Sequence, residues 1–579
     1  MQLFLQLRWF FRQHKLTYSI ALIMLFSVSM LNMTVPWFIG RAIDQLLQTR
    51  EFEQAEFYLF ALLGVSLLVY FLRYGWRRVL FGTSYKLGNI LREQFYQRLL
   101  RQGQSFYNAH STGDLMARAT NDIDAVEMAA GEGILSGFDG LITFILVLIM
   151  MFVFIDWHLA ILAILPFPFM GYGFYRLSNR IHHQFKHTLD SFSTLNEQAQ
   201  QAVSGIRMIK SMGRESIESQ KFERIAEQAA QTTYRVQRSE ALFDPIIQLS
   251  LGAALLIALL VGGWKINQGN LTVGQLTSFT LYLSELIWPM YAFGWLMNIL
   301  QRGNAAISRL DELLTLPDSI QDHGIETPNG YDIKVNNLTF SYPDTEHATL
   351  QQVSFTLNAN QVMGIAGATG AGKSTLLQLL MRYWETEAGA IQVGGKLIEN
   401  IPLKPLRSLY AYVPQDAFLF SMSILENIRI GRAEATDQEV YQAAKLAAVD
   451  DDILQFPEGY QTLVGERGVT LSGGQRQRIS IARALISQAP ILVLDDALSA
   501  VDINTEKVII DHLRQRKEQT LIIVSHRLSA IEAADQIMVL AHGEVIEHGH
   551  HAQLIHQDGW YSRMAAYQQM EQAMEEQLA

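Results

Sequence analysis

Residues 367–374 read GATGAGKS, and this spacing is suited to holding phosphate. Gly367, Gly370 and Gly372 let successive backbone N–H groups close around an anion that any larger side chain would crowd. Lys373 adds a cation for the β/γ-phosphates, Ser374 offers a hydroxyl to Mg²⁺, and Thr375 continues the same turn. The apolar segment QVMGIAG precedes the loop, and STLLQLLMRYW follows with helical spacing. Strand, glycine loop and helix in that order are the context a phosphate loop needs, and the helix N-terminus adds its dipole to anion binding. Further on, ILVLDD at 491–496 is an apolar run ending in two carboxylates, Asp495 and Asp496. Such a run reads as a fully buried parallel strand, and ligands of open α/β sheets bind at the carboxyl ends of strands.

Two very different regions must position this chemistry. The chain has 579 residues, too many for one core, so at least two domains are expected. Mean hydropathy is +0.11 although 17% of residues are charged, as when a soluble part is averaged with a membrane part. The net charge of −11 argues against a nucleic-acid partner. The absence of cysteine excludes disulfides and thiolate metal sites.

Apolar runs near 18–40, 57–80, 134–155, 159–178, 246–265 and 274–298 each approach the roughly 20 residues that a helix needs to cross a bilayer. One such run could be a buried core helix; six within 300 residues read as spans. The first follows Arg8, Arg12 and Lys15, but it is too long for a signal peptide and has no cleavage site, so it is read as retained. Lys and Arg gather at the N-terminus and at the ends of two long connections: Arg77, Arg78, Lys86 and Arg92 in one, Arg176, Arg180 and Lys186 in the other. Positive charge therefore places both termini in the cytoplasm. The long connections, 81–133 and 179–245, keep helical spacing and are read as membrane helices running on into the cytoplasm. Each holds a segment suited to a turn and a short helix, 105–124 and 205–215. In the first, Ser111 and Thr112 can cap a helix and Gly113 can turn.

LSGGQ at 471–475, followed by RQRISIARAL, together with the phosphate loop resembles the ABC ATPase family. The whole chain resembles bacterial half-size type IV ABC exporters, most closely the multidrug-resistance-like subunits of heterodimeric pumps. TGDLMARATND, RGNAA and LDDALSAVD carry that likeness. The resemblance implies a fold of six transmembrane helices (1–320, with two cytoplasmic coupling helices) fused to an α/β P-loop ABC ATPase domain (325–579). It implies ATP and Mg²⁺ as cofactors. It also implies roles. Tyr342 in FSYPD stacks on adenine, Gln415 in YVPQD ligates Mg²⁺, and Glu466 in VGERG contacts coupling helices. Asp495 holds Mg²⁺. Ser472, Gly473, Gly474 and Gln475 cover the nucleotide of an opposing subunit, 498–502 cross between the motor domains, and His526 meets the γ-phosphate.

One position departs from the family. Active ABC motors carry glutamate after the magnesium-binding aspartate, where it polarises the attacking water; this chain has Asp496. Its carboxylate is withdrawn by about 1.5 Å, one C–C bond, and a misplacement near 1 Å can cost about 100-fold in rate. Slow hydrolysis at this site, beside an intact LSGGQ, is the pattern expected of one half of a heterodimer with a second ABC half-transporter. A homodimer with two slow sites is the alternative.

The expected cargo is small hydrophobic or cationic compounds, or membrane lipid, in a bacterial cytoplasmic (inner) membrane. The last run is rich in Met and aromatics: Tyr282, Trp288, Met290, Tyr291, Phe293, Trp295 and Met297. Such side chains repack around varied apolar ligands, and they equally pack helices and meet lipid. Asp139 and Glu285 are carboxylates within spans, where a charge is costly and faces a cavity or a partner. Pro289 kinks the helix that carries Glu285. An ATP-gated channel and a lipid flippase remain alternatives; an importer ATPase fits poorly, because this chain fuses membrane and motor parts.

Overall fold

A computed structural model describes residues 2–578 except 49–51, 344, 346, 388, 466, 467, 469 and 470. The chain divides into two compact units: 1–100 with 112–316, and 101–111 with 317–579. Residues 101–111 therefore associate with the motor rather than with the helices on either side. Ser319 Oγ donates to Gln102 Oε1 at 2.9 Å within this second unit.

The first unit is helical. Among the described residues five helices are long and apolar enough to cross a membrane: Lys15–Leu47, Glu56–Arg101, Thr112–Ile155, Trp157–Ser204 and Glu215–Asn267. They contain the first five expected runs. The sixth run is two helices, Val273–Glu285 and Ile287–Thr315, broken at Leu286. Pro289 explains the break: it has no N–H to give the carbonyl four residues back, at Glu285, and its ring crowds that turn. The expected turn at Gly113 is absent. Gly113 lies inside the helix Thr112–Ala117, and the short helices of the two connections are Gln104–Ala109 and Ile206–Ser211.

Helices α1 (Lys15–Gln48) and α2 (Val273–Glu285) meet along a seam of small residues. A Cβ on Gly274 would lie 2.0 Å from the Gly40 carbonyl oxygen, so the backbones touch directly. Polar groups close both ends of the seam, as they must where lipid offers no water. Asp44 accepts from Thr272 Oγ1 at 2.6 Å and from the Gly274 N–H at 2.8 Å. Tyr282, fully buried, donates to the Met33 carbonyl at 2.5 Å.

In the second unit, strands β1 (Ile333–Phe340), β2 (Leu350–Leu357), β4 (Ile391–Val393) and β5 (Lys396–Leu397) form an antiparallel sheet ordered β2-β1-β4-β5. The larger sheet runs β10-β9-β3-β8-β7-β6, using β3 (Val362–Gly367), β6 (Tyr410–Val413), β7 (Ile491–Asp495), β8 (Thr520–Val524), β9 (Gln536–Ala541) and β10 (Glu544–Gly549). Only β10 runs antiparallel to its neighbour. Side chains alternate between two cores along these buried strands: Leu492 and Leu494 face one, Ile491 and Val493 the other. The sheet is covered on both faces, which is why ILVLD has no polar alternation. Register does the positioning. Val524 pairs with Ile365 on one side and Asp495 on the other, so the carboxyl ends of β3, β8 and β7 share one edge.

The seam sets a testable limit. Gly274→Ala forces a methyl into the Gly40 carbonyl, and overpacking of this kind costs about 1–3 kcal/mol. The expected outcome is a thermal midpoint several degrees lower for the detergent-solubilised protein, with nucleotide affinity unchanged.

Candidate functional site

The phosphate loop leaves the end of β3. At Gly367 the chain passes so close to β9 that a Cβ would sit 2.1 Å from the Leu540 carbonyl oxygen. At Gly372 φ is +97°, left-handed backbone that favours glycine, and helix α3 (Lys373–Leu380) starts there. Gly370 sits between them in open space. Lys373 is 7% exposed and donates from Nζ to the Gly367 and Ala368 carbonyls, each at 2.8 Å. Burial pushes its pKa down, and Asp496 and Asp495 oppose that push. A buried ammonium whose described hydrogen bonds all go to neutral carbonyls, at a helix start lined with backbone N–H groups, is a donor set suited to an anion.

The two carboxylates stand at the next strand end but one. Ser374 Oγ donates to Asp495 Oδ1 and the Tyr412 hydroxyl to Asp495 Oδ2, both at 3.0 Å. Burial pushes the Asp495 carboxyl up, and neighbouring Asp496 adds to this, while the bonds from Ser374 and Tyr412 pull it down. The Ser374 hydroxyl and the Asp495 carboxylate are thus already convergent oxygen ligands, the kind a hard divalent cation takes. Asp496 has φ of +49°, a conformation that aspartate tolerates better than most residues, and its N–H bonds the Val524 carbonyl at 2.9 Å. Gln415 approaches Asp496 rather than Asp495, with its amide nitrogen 3.5 Å from Oδ2, at the outer limit of a hydrogen bond.

Tyr342 lies beside α3. Its hydroxyl is 2.9 Å from Thr375 Oγ1, and its half-buried ring meets Phe340 and Trp384 edge-on, at 5.1 and 5.0 Å. His526 follows β8 on the shared edge, half-buried, and its carbonyl accepts from Gln568 Nε2 at 2.7 Å. In the LSGGQ segment, exposed Ser472 caps helix α4 (Gly473–Ile486) and forms a capping box with Gln475. Gln475 Nε2 also donates to Asp452 at 3.1 Å. Gly474 is pressed against the Ala500 carbonyl: a Cβ there would be 2.8 Å away. The signature thus rests on the 498–502 loop of its own chain. Glu466 lies outside the described residues.

Two residues escaped the sequence reading. Tyr412, on β6 beside β7, holds Asp495, and only the strand order brings it there. Buried Gln477 accepts from the Ala500 N–H at 3.0 Å and reaches the Gln415 carbonyl and Ser499 Oγ, each at 3.4 Å. It ties the Gln415 loop to the 498–502 loop. Its only sequence signal was its place two residues past the LSGGQ motif.

In the helical unit, Met290 and Phe293 line two apolar cavities of about 540 and 900 Å³. Trp288, Tyr291, Trp295 and Met297 line the larger one. Tyr282 lines neither; it is packed in the helical core with its hydroxyl on the Met33 carbonyl. Asp139 accepts one hydrogen bond on each oxygen, from Ser29 Oγ at 2.9 Å and Trp288 Nε1 at 2.8 Å.

Comparison with known proteins decides what this arrangement is. The family described as ABC transporter transmembrane region matches residues 18–290, and the family described as ABC transporter matches 350–499. The multidrug resistance-like ATP-binding protein MdlA of Escherichia coli (strain K12) is 44% identical, covering 100% of this chain and 98% of that protein. The chain is an ABC transporter. Within the ABC transporters it is also similar to the probable multidrug resistance ABC transporter ATP-binding/permease protein YheI of Bacillus subtilis (strain 168), at 39% identity over 98% of this chain and 97% of the other. An ATP-dependent lipid A-core flippase of Syntrophus aciditrophicus (strain SB) is 30% identical over 100% and 96%. A bacterial Atm1-family ABC exporter, solved with ATP bound, matches with a TM-score of 0.80 at 27% identity, covering 96% and 98%. This ABC transporter is accordingly a multi-pass membrane exporter with a transport ATPase domain that binds ATP.

Two variants test the site. Lys373→Ala removes the buried cation and is expected to weaken binding of a fluorescent ATP analogue more than about tenfold. Tyr412→Phe removes one of two donors that orient Asp495. The Mg²⁺ concentration for half-maximal ATP binding should rise about fivefold, while the thermal midpoint stays within a degree or two.

Proposed function

We propose that this exporter carries hydrophobic and amphipathic compounds out across the cytoplasmic (inner) membrane of a bacterium, with both termini in the cytoplasm. It does so as one half of a heterodimer whose site on this chain's own phosphate loop is slow. The reading rests on one observation, Asp496 at the position after Asp495, in a chain whose LSGGQ segment is intact. A one-methylene-shorter carboxylate reaches the attacking water less well, and a general base works only within hydrogen-bond reach. The second ABC half-transporter would supply the competent glutamate.

Each residue then has a task. Lys373 and the N–H groups from Gly367 to Ser374 bind the β/γ-phosphates, and Tyr342 flanks the base. Ser374, Asp495 and Gln415 hold Mg²⁺, which supplies charge neutralisation on the phosphates when bound. Asp496 orients water and His526 meets the γ-phosphate. Ser472, Gly473, Gly474 and Gln475 cover the nucleotide on the partner. Closure of the two motors over ATP turns an inward-open cavity outward, and ATP drives this only through its higher affinity for the closed state. The apolar cavities around Met290 and Phe293 suit the cargo. A second reading, lipid flipping, draws on the likeness to lipid A-core flippases.

ATP turnover by the chain purified alone, beside its Asp496→Glu variant, tests the proposal. Little native turnover with a gain of about 100-fold in the variant is the result expected if the chain self-associates during the assay. Turnover that appears only on adding a second half-transporter is expected if it does not. Brisk turnover of the native chain alone would overturn both the slow site and the need for a different partner.

A further inference from the structure

A third cavity in the helical unit, of about 260 Å³, differs from the other two in chemistry. Arg73, Trp76, Arg77, Asp139, Glu285 and Trp288 line it. The first three follow helical spacing and share one face of the helix Phe52–Arg101. Trp76 is 4% exposed, and its indole N–H has no hydrogen-bond partner. A buried N–H of this kind costs stability unless something accepts from it. The Arg77 guanidinium lies over the Trp76 ring, 5.6 Å from its centre. Neither Arg73 nor Arg77 is among the described ion pairs. Asp139 is occupied by Ser29 and Trp288. Glu285 accepts no described hydrogen bond and feels Arg73 and Asp139 only through their charge.

What is left unmet states what is missing. The Trp76 N–H is buried without an acceptor, and the two guanidiniums beside it are exposed in the chain; together they suit an acceptor with several oxygens, which a phosphate or carboxylate supplies. Glu285, exposed on the same cavity, suits a cationic donor. Formal charge already cancels, with Arg73 and Arg77 against Asp139 and Glu285, so a ligand of no net charge leaves that balance intact. The cavity has room for a headgroup and not for an alkyl chain. Trp288, however, also lines the 900 Å³ apolar cavity, with its N–H turned to Asp139. A head in one cavity and a tail in the other would be joined at Trp288.

We infer that this cavity binds the headgroup of a zwitterionic amphiphile, with its oxyanion on Arg73, Arg77 and Trp76 and its ammonium on Glu285. The inference rests on the exporter reading and names the class of cargo for it.

Isothermal titration of the full chain in a non-ionic detergent, with dodecyl phosphoethanolamine, dodecyl phosphate, dodecylamine and tail-free phosphoethanolamine, tests it. The zwitterionic amphiphile should bind more tightly than either single ion by more than about tenfold. Arg73→Gln with Arg77→Gln should remove its advantage over dodecylamine, and Glu285→Gln its advantage over dodecyl phosphate. Trp76→Phe, which keeps the ring and loses only the N–H, should weaken it about fivefold. Equal binding of the three amphiphiles, tighter binding of a single ion, or a zwitterion preference that survives the arginine changes would overturn the inference. Tail-free phosphoethanolamine binding as tightly as the amphiphile would overturn the joined-cavity part. ATP binding is read in the same samples. If every variant also keeps the native thermal midpoint, the helical unit is folded and failure belongs to this cavity; if the native chain does not bind ATP, the exporter reading itself fails.

Discussion

Val524 pairs with Ile365 on one side and Asp495 on the other, and the motor's chemistry depends on that double register. Three strand ends are brought level by it. One releases the phosphate loop, one ends in the paired carboxylates, and one leads to His526. The strands are buried on both faces, so a slip of one residue would drive Ile491 and Val493 into the core that Leu492 and Leu494 occupy. The packing of two cores thus fixes the positions of Lys373, Asp495 and His526 before any ligand arrives.

Much of this was legible because the signals were local. GATGAGKS carries its own turn, its own cation and its own helix start, and ILVLDD carries its own burial. Residues whose place depends on strand order were not legible. Tyr412 meets Asp495 only because β6 lies beside β7, and Gln477 meets Ala500 only because two loops converge on one helix. Gly113 shows the opposite error: a glycine was read as a turn where the helix simply continues through it.

The helical unit follows a different rule. Water cannot satisfy polar groups within a bilayer, so most of them pair within the protein. Asp44, Tyr282, Ser29 and Asp139 all do, across helices far apart in sequence. The break at Leu286 shows how a single proline reshapes this unit: it ends one helix at Glu285 and begins another that carries Trp288, Met290 and Phe293. Sequence placed the carboxylates and the proline correctly but could not say which charges were already engaged.

Lys373 spends two of its three N–H donors on carbonyls of its own loop. An incoming phosphate therefore meets a loop whose shape is already set, and little ordering entropy is lost on binding. The same arrangement limits how tightly the phosphate can be gripped. Only the third N–H is left for a wholly new contact, and the other two must leave their carbonyls to reach a phosphate. The lysine thus braces the loop from within, through the carbonyls of Gly367 and Ala368.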